Sequence, residues 1–341
     1  MRVLLIGPCP PPHGGISVHV SGIHRQLTAA GVPCRVLDMS LVRPGLGFGW
    51  VVLRHALQGW TLHLHTNGHN PKSWLLALAC GLAGQARGCC ILTLHSGMMP
   101  GYLESAPLWR RRLAALTCSL YRQVICVSLD IRSALLSLGL EPRRMQVLPA
   151  FLSAESPEVS PESGLLSWIG RHRPLFSTVL FFRPEYGFDL LVNGLVRLRR
   201  LYPSFGCLVM GSGEQRAEAG TRVREAGLEE SILLLGDVDH DACLALMSIC
   251  DVFLRPTLED GDSISVREAL SLGVPVVASR VGARPAGTIL FHPGDVEEML
   301  AKVELAMSVK KGSQPQAAGC MDRLMEIYRK VDGSEGSLCL N

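Results

Sequence analysis

Short apolar runs alternate along this chain with longer segments whose apolar positions recur at helical spacing. RVLLIG (2–7), PCRVLDM (33–39), TLHLHT (61–66), CCILTLH (89–95) and QVICVS (123–128) have strand length and are bounded by glycine or polar turns. Between the first two, Ile16, Val20, Ile23 and Leu27 mark one face of a helix that stops at Gly31. The pattern weakens between Pro149 and Arg173, where FLSAESPEVSPESG reads as a linker. Alternation then restarts. LFSTVLFF, FGCLVMGSG, SILLLGDV, CDVFLRP, GVPVVAS and AGTILFH are strands, and GFDLLVNGLVRLRRLY is a helix. DVEEMLAKVELAMSVK is another helix, with an acidic first turn and a basic end as the helix dipole favours. GCMDRLMEIYRKV (319–331) is a further helix, and the tail after it is expected to be loose. Near-continuous apolar strands separated by helices predict parallel sheets covered on both faces.

The expected fold class is therefore α/β, with two doubly wound, Rossmann-like parallel-sheet domains facing a cleft. The expected domains are 1–155 and 156–310, with 311–341 as a helix and tail that can pack back on the first domain. Such sheets bind ligands beyond the carboxyl ends of their strands, and two halves place the expected site in the cleft between them.

Of 341 residues, 48% are apolar and 18% charged, so each half can bury a core. The net charge of +3 is too small to make nucleic acid the partner. None of the twelve cysteines forms a C-x-x-C pair, and most sit in apolar runs, so they read as buried hydrophobes in a reducing compartment. The first residues lack the long apolar core of a secretory signal, and WLLALACGLAG (74–84) is too short to span a bilayer. The expected location is cytoplasmic, with contact to the inner membrane face left open. PLWRRRLAALTCSLYRQV (107–124) sets Arg110, Arg111 and Arg112 beside an apolar helical face. It reads either as a surface for anionic lipid or as a core helix with a solvated basic start.

The candidate chemistry lies at the strand ends. Gly14 and Gly15 open the first helix, where backbone can approach an anion. His95 ends a strand and can hydrogen-bond a hydroxyl or steady developing charge. His63 and His65 alternate with leucines on one strand at a spacing that could suit a metal, but no acid or cysteine pattern accompanies them, so they read as structural. Arg183, in FFRPEYG, can fork onto a diphosphate, or else pair with Glu185 or Asp189 on the surface. MGSGE (210–214) and LGDVDH (235–240) are turns that suit either a nucleotide or an ordinary connection.

The densest stretch is RPTLEDGDSISVREAL (255–270). Ser265 and Glu268 match a capping box, with Gly273 closing the helix. That leaves Asp260, Gly261, Asp262 and Ser263 unexplained. Open amides around Ser263, Ile264 and Ser265 would face a phosphate, and flanking carboxylates would accept sugar hydroxyls.

On these residues the sequence resembles the retaining glycosyltransferases with two Rossmann-like domains, the GT-B fold of family 4, also described as glycosyl transferases group 1. The resemblance rests on HGG (13–15), TLH (93–95), the arginine of FFRPEYG and EDGDSISVREALSLGVPVVAS, and it extends in character over nearly the whole chain. It implies a metal-independent hexosyltransferase without cofactor, acting on a nucleotide-sugar donor and a glycan or lipid-linked acceptor, by family analogy in polysaccharide biosynthesis. The first domain would serve the acceptor and the second the nucleotide-sugar. Glu268 would bind the donor ribose and Asp260 the transferred sugar. Gly14, Gly15, Arg183 and the backbone from Gly261 through Ser263, Ile264 and Ser265 would hold the diphosphate, with His95 near the reacting sugar. Two positions depart from the family pattern: Tyr186 stands where a lysine is common, and the first motif acid, Asp260, is an aspartate rather than a glutamate. The alternatives are a nucleotide-sugar epimerase of the same fold and a degenerate, non-catalytic binding protein.

Overall fold

The structure is a computed structural model that describes residues 1–11, 13–41, 45–150, 162–309, 311–312 and 319–333. The chain divides into two compact units. The first comprises residues 1–10, 15–41, 45–150 and 319–333; the second comprises 11, 13–14, 162–309 and 311–312. The boundary expected between 155 and 156, and most of the expected linker and tail, lie outside the described residues.

The first unit runs β1 (Val3–Gly7), α1 (Gly15–Ala29), β2 (Cys34–Asp38), α2 (Leu46–Leu57), β3 (Thr61–Thr66), α3 (Pro71–Gly84) and β4 (Cys90–Leu94). It continues through α4 (Met99–Glu104), α5 (Leu108–Ser119), β5 (Gln123–Cys126), α6 (Leu129–Ser137) and β6 (Met145–Val147). The second unit holds α7 (Ser163–Arg171), β7 (Leu175–Val179), α8 (Phe188–Leu201), β8 (Gly206–Met210), α9 (Arg216–Glu225) and β9 (Ile232–Gly236). After these come α10 (His240–Ser248), β10 (Val252–Arg255), α11 (Ile264–Ser271), β11 (Val276–Ser279), β12 (Ile289–Phe291) and α12 (Val296–Met307). The last helix, α13 (Cys320–Asp332), belongs to the first unit.

Each unit has one six-stranded sheet, ordered β2-β1-β3-β4-β5-β6 and β12-β11-β10-β7-β8-β9, and every pairing is parallel. The expected α/β class holds. All five residues of β1, β4 and β8 are buried, as a sheet covered on both faces requires. The period of two sorts the second core into layers: Val252 and Leu254 of β10 join one cluster with Phe176, while Phe253 joins the other with Val266 and Met247. Full burial of each such side chain contributes roughly 1.5–3 kcal/mol.

Strand order reverses between β1 and β3 in one sheet and between β7 and β10 in the other. These switch points are where an open α/β sheet leaves room for a ligand at its carboxyl edge.

Two sequence expectations are corrected here, and β6 is a strand that was not among those expected. α7 forms where the pattern had faded. α12 has the expected acidic first turn, with Asp295 capping the Glu298 amide, but it ends at Met307 with no basic residue in its last turn.

Candidate functional site

The residues after β7 and β10 converge at the second unit's switch point. Gly187 follows the turn at 184–186 with φ of 69°, and a Cβ there would stand 2.0 Å from the Pro256 carbonyl oxygen. Only glycine permits that approach, which seats RPEYG against the segment after β10. MGSGE is fixed in the same way. Gly211 has φ of 129°, its amide donates to Gly236 O at 2.7 Å, and a Cβ would meet Leu180 O at 1.9 Å. Two loops at the switch point are thus locked backbone to backbone.

Asp260 lies in the middle. Its Oδ2 accepts from Arg255 Nε at 3.0 Å, Arg284 Nη1 at 3.0 Å and Thr257 Oγ1 at 3.3 Å, and its Oδ1 accepts from the Gly261 amide at 3.1 Å. Burial alone would raise this carboxyl's pKa; the guanidinium groups of Arg255 and Arg284 outweigh it and leave the pKa lowered. One carboxylate between two guanidiniums leaves the cluster with one net positive charge. The Arg255 guanidinium also stands over the Tyr186 ring, 5.1 Å from its centre. The segment that lacks the lysine thus has a cation beside it, delivered by β10. Sequence reasoning assigned no role to Arg255 or Arg284, because an arginine at a strand end has no local pattern that marks its partner.

Arg183 is exposed, 6.0 Å over the Phe181 ring, and makes no ion pair among the described residues. The surface pairing considered for it is not formed; Asp189 instead stands 3.4 Å from Arg222 Nε.

α11 starts at Ile264 with Ser263 as its N-cap, whose side chain makes no capping bond. Ser263 Oγ lies 3.2 Å from Ser265 Oγ instead. The capping-box expectation is overturned: the helix begins too early for Ser265 to cap it, and Glu268 Oε1 sits 2.7 Å from His240 Nε2. Glu268 is buried, and its partner comes from the turn LGDVDH. Gly273 closes the helix as expected, with Gly273 N donating to Leu270 O and Val274 N to Ala269 O. The turn at 261–263 is pinned as well, by Ala283 N on Gly261 O at 2.6 Å and by Arg267 Nε on Asp262 Oδ1 at 2.7 Å. Gly261, Ser263, Ile264 and Ser265 therefore form a rigid turn with uncapped first-turn amides, between Asp260 and Glu268.

In the first unit, Gly15 is the first residue of α1, while Gly14 groups with the second unit. His63 is structural: its ring nitrogens lie 2.6 Å from Tyr328 Oη and 2.7 Å from Thr93 Oγ1, tying α13 to the sheet. His65 is not isolated in the same way. Its Nδ1 lies 3.1 Å from His95 Nε2, and His19 of α1 packs against both rings.

Residues 173–308 match the family described as Glycosyl transferases group 1. That match falls within the second unit and contains every residue of its switch-point cluster. Among curated relatives, the chain is 26% identical over 188 residues to the phosphatidylinositol N-acetylglucosaminyltransferase gpi3 subunit of Schizosaccharomyces pombe, with 54% of this chain and 40% of the relative covered. It is 29% identical over 181 residues to 2-deoxystreptamine glucosyltransferase of Streptomyces kanamyceticus, with 49% and 46% covered. The chain thus spans about half the length of the curated relatives it matches. Solved structures extend over nearly all of it. Anabaena HepE in complex with UDP and glucose has a TM-score of 0.71 at 17% identity, with 99% of this chain and 100% of that chain covered. Sucrose-phosphate synthase of Thermosynechococcus elongatus has a TM-score of 0.67 at 18% identity, covering 99% and 98%. The fold is the two-sheet GT-B fold of these structures.

Proposed function

We propose that this protein is a retaining, metal-independent hexosyltransferase of family 4 that moves a sugar from a nucleotide-sugar donor to a glycan or lipid-linked acceptor. The observation that carries the proposal is the rigid turn from Gly261 to Ser265, set between the Arg255–Asp260–Arg284 cluster and the Glu268–His240 pair. Uncapped amides at the start of α11 suit phosphate oxygens, and the net positive cluster with exposed Arg183 supplies the field a diphosphate needs. In this reading Arg255 and Arg284 do the work that a lysine near Arg183 does elsewhere in the family. Glu268 accepts from the donor ribose, Asp260 orients the turn and the transferred sugar, and His95 contacts the reacting sugar. Catalysis would come mostly from positioning and charge stabilisation.

Where the acceptor is carried by a lipid, α5 offers the means to reach it. Leu108, Trp109 and Leu116 are 59%, 61% and 57% exposed, and Arg112 is exposed beside them. Among the described residues no helix is long and apolar enough to cross a membrane. A peripheral attachment at the cytoplasmic face fits that surface.

Release of nucleoside diphosphate tests the central claim. The protein is incubated with UDP-, GDP- and ADP-sugars, with and without a lipid extract as acceptor, in the presence of chelator. Acceptor-dependent release from one nucleotide class is expected. Interconversion of the sugar without release would make it an epimerase, and binding without either would make it a non-catalytic binding protein.

A further inference from the structure

Three histidines from three separate elements meet at the first unit's switch point. His65 lies next to the end of β3, His95 follows β4, and His19 reaches over from α1. Their ring centres form a nearly equilateral triangle: His19–His65, His19–His95 and His65–His95 are each 5.4 Å apart. A ligand nitrogen of each lies within 4.8 Å of those of the other two. We propose that His19, His65 and His95 form a binding site for one divalent transition-metal ion of the zinc class.

The spacing is what such an ion demands. With a metal–nitrogen distance of about 2.0–2.1 Å, imidazoles on three corners of a tetrahedron have ring centres roughly 5 Å apart and facing nitrogens roughly 3.3 Å apart. The facing nitrogens of His65 and His95 stand at 3.1 Å. The chemistry also fits. Burial lowers the pKa of all three, that of His19 to about 4, and neutral imidazole is the ligand form. Imidazole suits zinc, copper and nickel rather than magnesium or calcium. Among the described residues His19 Nδ1 is buried without a hydrogen-bond partner, which a folded protein rarely tolerates in a polar atom. His65 is further held by the His63 ring, 4.1 Å away, which Tyr328 and Thr93 fix in turn. His95 is only partly buried, which gives an ion a route in and leaves a fourth position for water or another ligand. Because the proposed transfer uses His95, a bound ion would also suppress turnover. That corollary rests on the transferase reading; the site itself does not.

The test uses untagged full-length protein, stripped with chelator and titrated with Co2+ and then Zn2+. One equivalent of Co2+ per chain is expected, with the visible bands of a four-coordinate nitrogen site and no thiolate charge transfer, followed by displacement by Zn2+. His95→Gln and His19→Gln should each weaken binding by more than about tenfold. Circular dichroism confirms that each variant is folded, and the partly exposed His95 guards against loss of fold at buried His19. Absent stoichiometric binding, affinity unchanged in both variants, or a thiolate band that assigns the ion to cysteines would each overturn the proposal. None of these readouts involves a sugar donor, so failure here and failure of the transferase reading are separate results.

Discussion

His240 Nε2 lies 2.7 Å from Glu268 Oε1, which joins the start of α10 to the middle of α11 through two side chains. Glu268 is thereby held in one rotamer, and the turn before α10 is fixed beside the helix that carries the uncapped amides.

Glu268→Ala should therefore abolish recognition of donor. A ligand that binds only the folded protein raises its melting temperature. The wild type should shift with one class among UDP-, GDP- and ADP-sugars, and the variant should not. The variant itself should lose about 1.5–3 kcal/mol, since it deletes a hydrogen bond to a charged group. Retention of the full donor shift would remove Glu268 from the site.

Asp260→Asn should cost more, about 3–5 kcal/mol, because it leaves two largely buried guanidiniums without their anion. The pH dependence has a definite sign. Asp260 has a lowered pKa in the folded state, so its contribution is present above the unfolded value near 4. It is lost as pH falls through the folded value. Urea titrations between pH 5 and 2.5 should show this loss in the wild type and its absence in the variant.

Gly211→Ala should destabilise the second unit by at least about 1–3 kcal/mol, since it combines a strained φ with a Cβ placed against Leu180 O. Gly220→Ala is the control: nothing lies within 4 Å of that Cβ, and alanine should stabilise α9 by up to about 1 kcal/mol. Equal melting temperatures for the two variants would contradict the locked-loop account.

Acid should weaken the first unit before the carboxylates titrate. Burial lowers His63 to about 3 and His19 to about 4, so neither takes up the proton that the unfolded chain binds below pH 6.5. Their contribution is full above 6.5 and falls by about 1.4 kcal/mol per pH unit for each group as pH drops below it. Denaturant midpoints at pH 7.5, 6 and 5 should show the decline, and His63→Phe should make it shallower.

Replacing Leu108, Trp109 and Leu116 together by serine should abolish sedimentation with anionic vesicles and leave the melting temperature within about 1 kcal/mol equivalent of wild type, since all three are exposed. Vesicle binding unchanged by the triple substitution would place the membrane contact elsewhere.

Most central strands were legible because both faces of a parallel sheet are buried, so they show as apolar runs; TLHLHT, which alternates leucine with histidine yet is wholly buried, was read at its observed limits. β6 has three residues and no such run. At the candidate site, the turn from Gly261 to Ser265 was legible from its local density of polar residues. Arg284 was not, because its carboxylate partner is 24 positions away and is brought to it by the switch-point topology. His19 was hidden by its neighbours. It shares the buried face of α1 with Val20 and Ile23, where a histidine looks like packing until β3 and β4 supply the other two.

Tyr328 on α13 closes a buried hydrogen bond to His63 on β3, 265 residues earlier, with every strand and helix of the second unit encoded between them. On the ribosome, then, the order of completion is inverted. The second unit has all its strands and helices once residue 307 has emerged, while in the first His63 Nδ1 still waits for the Tyr328 hydroxyl. Removing α13 would take Tyr328 from the first unit and leave every strand and helix of the second in place, so an early strand depends on a helix encoded after the other unit.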